Sequence, residues 1–409
     1  MKKILYISPG YGLKGVMYKH NRRFINAIKD HYEIVVASCY VCDNLLEGDL
    51  EYLYSNRFLT KFYYKLFYPI KKRLTSNMMF VIPDEAKCAI NPSLLRKCRE
   101  YIKNNKVDCI VTVSWPLSST LLGYVLKKEF GIPWIAHFFD AWIDNPYRKV
   151  PAHAIKKDRD YERLVAINAD AIFQTNTVLL NIWNKRYGDI LLNKQFVMPF
   201  CYDVTQIKNH DIEISRSKKT SNKLQITYIG TTVGNRNFQT LIKSVSGLKQ
   251  TVCNLEDKLL IRVVGNLLPI DENSIRFFHL ENIFENTGYV PGDRLWQYYI
   301  DTDIFLVIDA DMNENIFFPS KLLDYFYYQK PILGITPKIG VTHDLLTESN
   351  NFSFECNDVR GISVFLSEIL MNPELLNKNA KEYYKQFSPD VVLEKFDIAI
   401  SSVLKDSHE

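Results

Sequence analysis

The amino-acid sequence predicts an α/β protein built from two doubly wound parallel-sheet domains in tandem. Three observations predict it. Short apolar runs such as "CIVTVS" and "AIFQT" alternate with helical stretches through the first half, the pattern of a parallel sheet crossed by helices. The alternation stops at 206–223, "QIKNHDIEISRSKKTSNK", which has no apolar cluster able to build a core. It then restarts beyond that stretch. The expected division is a first domain at 1–205, a linker at 206–223, a second domain at 224–387, and a C-terminal helix at 388–409 that crosses back to the first domain.

In the first domain the strand candidates are 3–8, 33–38, 108–114, 133–138, 171–175 and 196–200. They are apolar on both faces, as buried parallel strands are. Helical stretches at 93–104, 118–130 and 158–169 separate them. The first strand ends in Ser8-Pro9, and Gly10, Gly12 and Gly15 follow with G-x-G-x-x-G spacing. A dinucleotide site would place an acid at the tip of the second strand. That strand ends instead in Ser38-Cys39-Tyr40, and 14–23 reads as a polar turn leading into a helix. The glycine loop is therefore either a structural turn or a place where backbone approaches a sugar or acceptor at Gly12 and Gly15.

The second domain offers strands at 225–229, 259–264, 283–286, 304–308 and 331–335, and helices at 238–249, 291–299, 320–328 and 359–371. Ligands of such sheets sit at the carboxyl ends of the strands, and tandem domains predict a cleft between them.

Composition narrows the function. Of 409 residues, 47% are hydrophobic and the formal net charge is +5, so wholesale disorder is excluded and basic character matters only where it clusters. No stretch is long and apolar enough to span a bilayer, and no signal-peptide pattern precedes the first strand. A cytoplasmic location is the expectation. The eight cysteines fit reduced, buried thiols. Cys39 and Cys42 make one C-x-x-C, but Cys88 and Cys98 lack the spacing of a second pair, so no metal site is expected.

Two stretches of the second domain carry chemistry. "YIGTTVGNRNFQTL" is a strand, a glycine loop and a helix. Gly230 and Gly234 admit close backbone approach, the helix start favours an anion, and Arg236 lies in the same loop. Arg236 is either solvated or forked onto phosphate oxygens. "NIFFPSKLLDYFYYQKPIL" starts a helix at Pro319 and Ser320 and puts Lys321 in its first turn. A cation there is unfavourable to the helix alone, so a bound phosphate would explain it. Asp324 follows near the same face. A lysine for phosphate and a carboxylate for ribose hydroxyls suit a sugar nucleotide.

These stretches, together with "TGYVPGDRLWQYYIDTDIFLVI", resemble the C-terminal half of GT-B glycosyltransferases, close to glycosyltransferase family four. The resemblance covers nearly the whole chain and is most specific at "PSKLLDY…KPIL". It implies two Rossmann-like domains facing a cleft. It implies an enzyme that takes a nucleotide-diphosphate sugar as substrate, usually retains anomeric configuration, and needs neither metal nor cofactor. The family's basic pair on the diphosphate falls on Arg236 and Lys321. Its ribose-binding acid falls on Asp324, and its base-binding loop on Gly288, Tyr289 and Val290. The family's other glutamate falls on Ile316, with Glu314 and Asn315 the nearest polar residues.

"WIAHFFDAWIDN" places His137 and Asp140 at the end of a strand expected to face the cleft. Similar enzymes have a His or Asp there, near the acceptor or the departing sugar, and such a pair would orient or activate a hydroxyl. A buried structural histidine is the other reading.

The segment 52–83 has no acidic residue. Arg57, Lys61, Lys65, Lys71, Lys72 and Arg73 interleave with aromatics. That pattern suits a helix on an anionic membrane or a core helix with a basic outer face. The combined expectation is a cytoplasmic, membrane-peripheral enzyme of surface polysaccharide assembly, with a glycan or polyprenol-linked acceptor and no nucleic-acid partner. The alternatives are a nucleotide-sugar 2-epimerase-like isomerase and a catalytically silent sugar-nucleotide-binding module.

Overall fold

The structure, a computed structural model, describes residues 1–12, 15–40, 50–56, 58, 59, 61, 62, 65, 90–114, 116–204, 208, 211, 219, 221–232, 234–378 and 382–405. The chain divides into two compact units. Residues 1–201 with 387–409 form the first, and residues 202–386 the second.

The first unit is built on a seven-stranded parallel sheet in the order β3-β2-β1-β4-β5-β6-β7. Its strands are β1 (Lys3–Ile7), β2 (Glu33–Ser38), β3 (Glu51–Tyr54), β4 (Cys109–Val113), β5 (Trp134–Phe138), β6 (Ala171–Gln174) and β7 (Gln195–Val197). β1, β4 and β5 are buried throughout or nearly so, which explains their unbroken apolar sequence. Between them run α1 (Val16–Ile28), α2 (Pro92–Asn104), α3 (Ser118–Phe130), α4 (Ile155–Asn168) and α5 (Thr177–Tyr187). Asn91 caps α2 and Asn176 caps α5, each accepting from a backbone N–H of its first turn. The helix Pro389–Lys405 returns to this unit and packs on α1, with the Phe396 ring edge-on to Phe24 at 5.6 Å and Tyr32 donating to Asp397.

Two expectations need correction here. α1 begins at Val16, directly after Gly15, so 14–23 is not a polar turn. Its inward positions, His20, Asn21, Phe24, Ile25 and Ile28, are buried, and the polar residues between them give the stretch its turn-like composition. Residues 52–54 are not helical: they belong to β3, paired with β2 through Val36↔Tyr52. Residues 58, 59, 61, 62 and 65 are helical, and Lys61 and Lys65 are exposed. Arg57, Lys71, Lys72 and Arg73 lie outside the described residues, as does Cys42. Most of 206–223 lies outside the described residues, but Asp211 and Lys219 are tied into the second unit. Tyr327 donates to Asp211 at 2.8 Å, and Lys219 bridges Asp303 at 2.6 Å.

The second unit carries a six-stranded parallel sheet in the order β10-β9-β8-β11-β12-β13. The strands are β8 (Leu224–Ile229), β9 (Leu259–Val264), β10 (Phe284–Asn286), β11 (Ile304–Ile308), β12 (Ile332–Thr336) and β13 (Phe352–Glu355). The helices used below are α6 (Gln239–Lys249), α7 (Trp296–Asp301), α8 (Lys321–Tyr327), α9 (Val341–Glu348) and α10 (Val359–Met371). The strand order reverses between β8 and β11, whose carboxyl ends therefore open a crevice. Ile226, Tyr228, Leu306, Ile308 and Leu333 belong to the core beneath it.

Candidate functional site

The crevice at the β8–β11 switch is lined by charge. β8 ends at Ile229, and Gly230 turns the chain with φ +139°. Gly265, after β9, lies against that turn: a Cβ on it would fall 1.9 Å from the Gly230 carbonyl oxygen, and its φ is +151°. Only glycine fits there. The two strand ends are thus drawn together, with Gly230 N–H donating to Val264 at 2.9 Å.

α8 enters from β11 and is pinned over the switch by Tyr325. Its ring stacks on Phe305 at 4.2 Å, and its hydroxyl accepts from the Ile229 N–H at 3.0 Å. This fixes Lys321, in the first turn. The Lys321 Nζ lies 3.5 Å above the centre of the Tyr228 ring and 3.1 Å from where a Gly230 Cβ would be. Nζ is buried and finds no hydrogen-bond acceptor among the described residues. Burial first, and the Arg236 charge second, hold the ammonium well below the usual lysine range, while Asp309 pulls it back up.

Arg236 reaches the same place from the loop before α6. Its guanidinium is 4.0 Å from the Asp309 carboxylate, and its buried Nε has no partner. Asp309 follows β11 and is 3% exposed. Asn315 donates to one of its oxygens at 2.6 Å and to Thr342 at 2.9 Å, and Thr342 bonds to Asp309 in turn. The other oxygen, Oδ1, is buried and unbonded. Asp309 also lines a polar pocket of about 260 Å³ with Asn235, Asn237, Thr240, Asp311 and Asn357. Two cations and one anion therefore meet around a buried carboxylate, with the Arg236 side chain still 30% exposed and donors left unspent. Such an arrangement is electrostatically short of negative charge.

The remaining expected residues fall around this cluster or away from it. Asp324 lies on α8 and accepts from the Tyr299 hydroxyl at 3.3 Å. Pro319 and Ser320 are half-buried at the start of α8. Gly234 has φ +61° in the Arg236 loop. Tyr289 is 81% exposed after β10, beside Gly288 and the half-buried Val290. Ile316 is buried, Glu314 is exposed, and Asn315 is committed to Asp309. In the first unit, Gly12 and Gly15 have φ +91° and +144° at the end of β1, and Asp140 is half-buried in the bend after β5.

His137 does not face a strand-end opening. It sits within β5, boxed by Phe139 at 4.7 Å, Phe24 at 5.0 Å and Phe173 at 5.4 Å, with neither ring nitrogen bonded. Burial lowers its pKa to about 3, so it is a neutral packing residue. Among the described residues, no group of three His, Cys, Asp or Glu side chains is arranged to hold a metal ion. Among the same residues, no helix is long and apolar enough to cross a membrane.

Tyr228, Gly265, Asp309 and Thr342 were not singled out from the sequence, and Asn315 was named only as a polar neighbour of Ile316. A carboxylate directly after the apolar run "IFLVI" was the available signal for Asp309.

No family model and no curated protein matches the sequence. Solved structures do match its fold along the whole chain. A glycosyltransferase from Rickettsia africae ESF-5 superposes with TM-score 0.69 at 15% identity, covering 99% of both chains. Sucrose-phosphate synthase from Thermosynechococcus elongatus gives 0.68 at 12%, over 99% of this chain and 100% of its own. Anabaena HepE, solved in complex with UDP and glucose, gives 0.64 at 13%, over 98% and 100%. The chain thus has the two-sheet GT-B fold of these proteins.

Proposed function

We propose that this protein is a GT-B glycosyltransferase that takes a sugar from a nucleoside-diphosphate sugar and passes it to a glycan or lipid-linked glycan. One observation carries the reading. Lys321 Nζ and Arg236 Nε are both buried without an acceptor beside a glycine turn, at the switch point of a parallel sheet. A diphosphate supplies the missing acceptors and charge. The presence of UDP in the HepE structure, which shares the fold, supports the same ligand class.

In this reading the second unit holds the donor. Lys321 and Arg236 bind the diphosphate and stabilise the negative charge that grows on it as the glycosidic bond breaks. Asp324 accepts from the ribose hydroxyls, and the exposed Tyr289 offers a face for the base. Transfer with retention follows if the leaving phosphate itself takes the acceptor hydroxyl's proton, which asks no side-chain base of the protein. Asp140 and the backbone at Gly12 and Gly15 are the acceptor-side candidates of the first unit. The exposed Lys61 and Lys65, with the cations around them in sequence, would hold the enzyme on an anionic membrane in surface polysaccharide assembly.

Incubation with a panel of nucleotide-sugars, with and without lipid-linked acceptor, tests this. Acceptor-dependent release of a nucleoside diphosphate is the expected result. Binding without release would indicate a silent module, and conversion of the sugar without release would indicate an isomerase.

A further inference from the structure

Asp309 has no part in the function just described, yet it is the most constrained charge of the cluster. It is 3% exposed, fixed by Asn315 and Thr342, and 4.0 Å from Arg236. We propose that Asp309 is a positioning residue, a fixed internal counter-ion that keeps Arg236 and Lys321 gathered and charged until a diphosphate takes over that role. The inference rests on the reading of Arg236 and Lys321 as the diphosphate site.

The argument is electrostatic. Two like charges brought together out of water repel, and burial penalises each. Arginine keeps its proton under such stress, but lysine does not. The groups that act on Lys321 are Tyr228 from β8, under its Nζ, Arg236 from the next loop and Asp309 from the end of β11, while Tyr325 of α8 packs beside them on Ile229. Tyr228 and Tyr325 are neutral, since burial pushes both phenols up. Arg236 opposes the ammonium and Asp309 favours it. Burial pushes the Asp309 carboxyl above its ordinary range, and the bonds from Thr342 and Asn315 together with the Arg236 and Lys321 charges pull it part of the way back toward its ionised form. A carboxylate so placed has two opposite effects on an incoming anion. It repels the diphosphate directly, and it keeps Lys321 protonated to receive it.

The two effects separate with pH. Toward acid pH the ammonium form of Lys321 gains with or without Asp309, so there Asp309→Asn removes mainly the repulsion. At alkaline pH the loss of Asp309 lets Lys321 give its proton to water sooner. UDP and GDP binding by calorimetry, from about pH 6 to about pH 9, tests this in the full-length protein. Asp309→Asn is expected to bind as tightly as the parent or more tightly at the acid end. It is expected to lose affinity at a lower pH than the parent does, so that the two curves cross. Thr342→Val, which only loosens Asp309, should shift the alkaline loss in the same direction by less, and it decides the matter if Asp309→Asn does not fold. Curves that run parallel, or a variant weaker at every pH, overturn the proposal. The underlying site reading fails differently: Lys321→Met would then bind like the parent at every pH.

Discussion

The Lys321 ammonium rests 3.5 Å above the centre of the Tyr228 ring, within the core of the second unit rather than in solvent. The ring face is the ammonium's substitute for water, worth about 2 kcal/mol when desolvated. It holds the charge where a ligand phosphate would meet it. Lys321→Ala and Arg236→Ala should each lower kcat at least about a hundredfold, the usual cost of lost charge stabilisation at a leaving group. Steady-state kinetics with circular dichroism to confirm folding checks this. Near-parental rates in both variants would remove the site.

Asp324→Asn should weaken nucleotide binding more than Asp324→Glu, because ribose hydroxyls bond more strongly to a charged acceptor. The Tyr299 hydroxyl already donates to this carboxylate, so the asparagine variant keeps a local partner and its fold. Titration with UDP and GDP reads the difference. Equal affinities across all three proteins would make Asp324 a residue of helix packing.

Gly265→Ala should destabilise the second unit by about 3 kcal/mol or more, since its Cβ would lie 1.9 Å from the Gly230 carbonyl at a φ of +151°. Denaturant unfolding gives the value. Gly234→Ala, with no heavy atom within 4 Å of its would-be Cβ, should cost about 1 kcal/mol from its φ of +61° alone.

The first unit should lose stability in acid through His137. Its pKa is about 3 in the folded protein against an ordinary 6.5. The unfolded chain therefore takes up a proton that the fold refuses, and stability present above pH 6.5 falls as pH drops toward 3. His20, also buried, adds in the same direction. The total for His137 is at most about 5 kcal/mol. Unfolding midpoints of His137→Phe should fall less steeply over that window while transferase activity persists. Loss of activity with unchanged acid sensitivity would return His137 to the chemistry.

Replacing Lys61, Lys65, Lys71 and Lys72 with Glu should abolish sedimentation with anionic liposomes, because each basic residue contributes about 1 kcal/mol at such a surface. Donor binding should be untouched, and high salt should mimic the variant in part. A quadruple variant that still sediments would assign the segment to another partner.

The strand–helix order was legible because buried parallel strands are apolar on both faces. Two of the four edge strands were not, although β7 and β10 were expected at 196–200 and 283–286: β3, "EYLY", is only half-buried and merged with the basic aromatic stretch after it. β13, "FSFE", escaped notice for the same reason. Lys321, Arg236 and Asp324 could be singled out as candidates because each stands at a fixed offset from a glycine turn or a helix start. Asp309, Asn315, Thr342 and Tyr228 were not. They meet through the register of β8 with β11 and the return of the chain to α9, a relation between segments far apart in sequence. His137 stands where the expected strand 133–138 put it, one residue before the end, and only the direction of its ring was illegible. Phe138 is the strand's last position, and the ring before it points into the sheet's aromatic filling.

The helix Pro389–Lys405 gives the first unit an unusual order of assembly. Phe24 and Tyr32, near the start of the chain, complete their packing against Phe396 and Asp397. During synthesis residues 1–201 therefore leave the ribosome with a face of α1 uncovered, and it stays so while all of 202–386 is made. The second unit, continuous in sequence, is free to finish folding first. The unit begun first therefore cannot complete its packing until the second has been made.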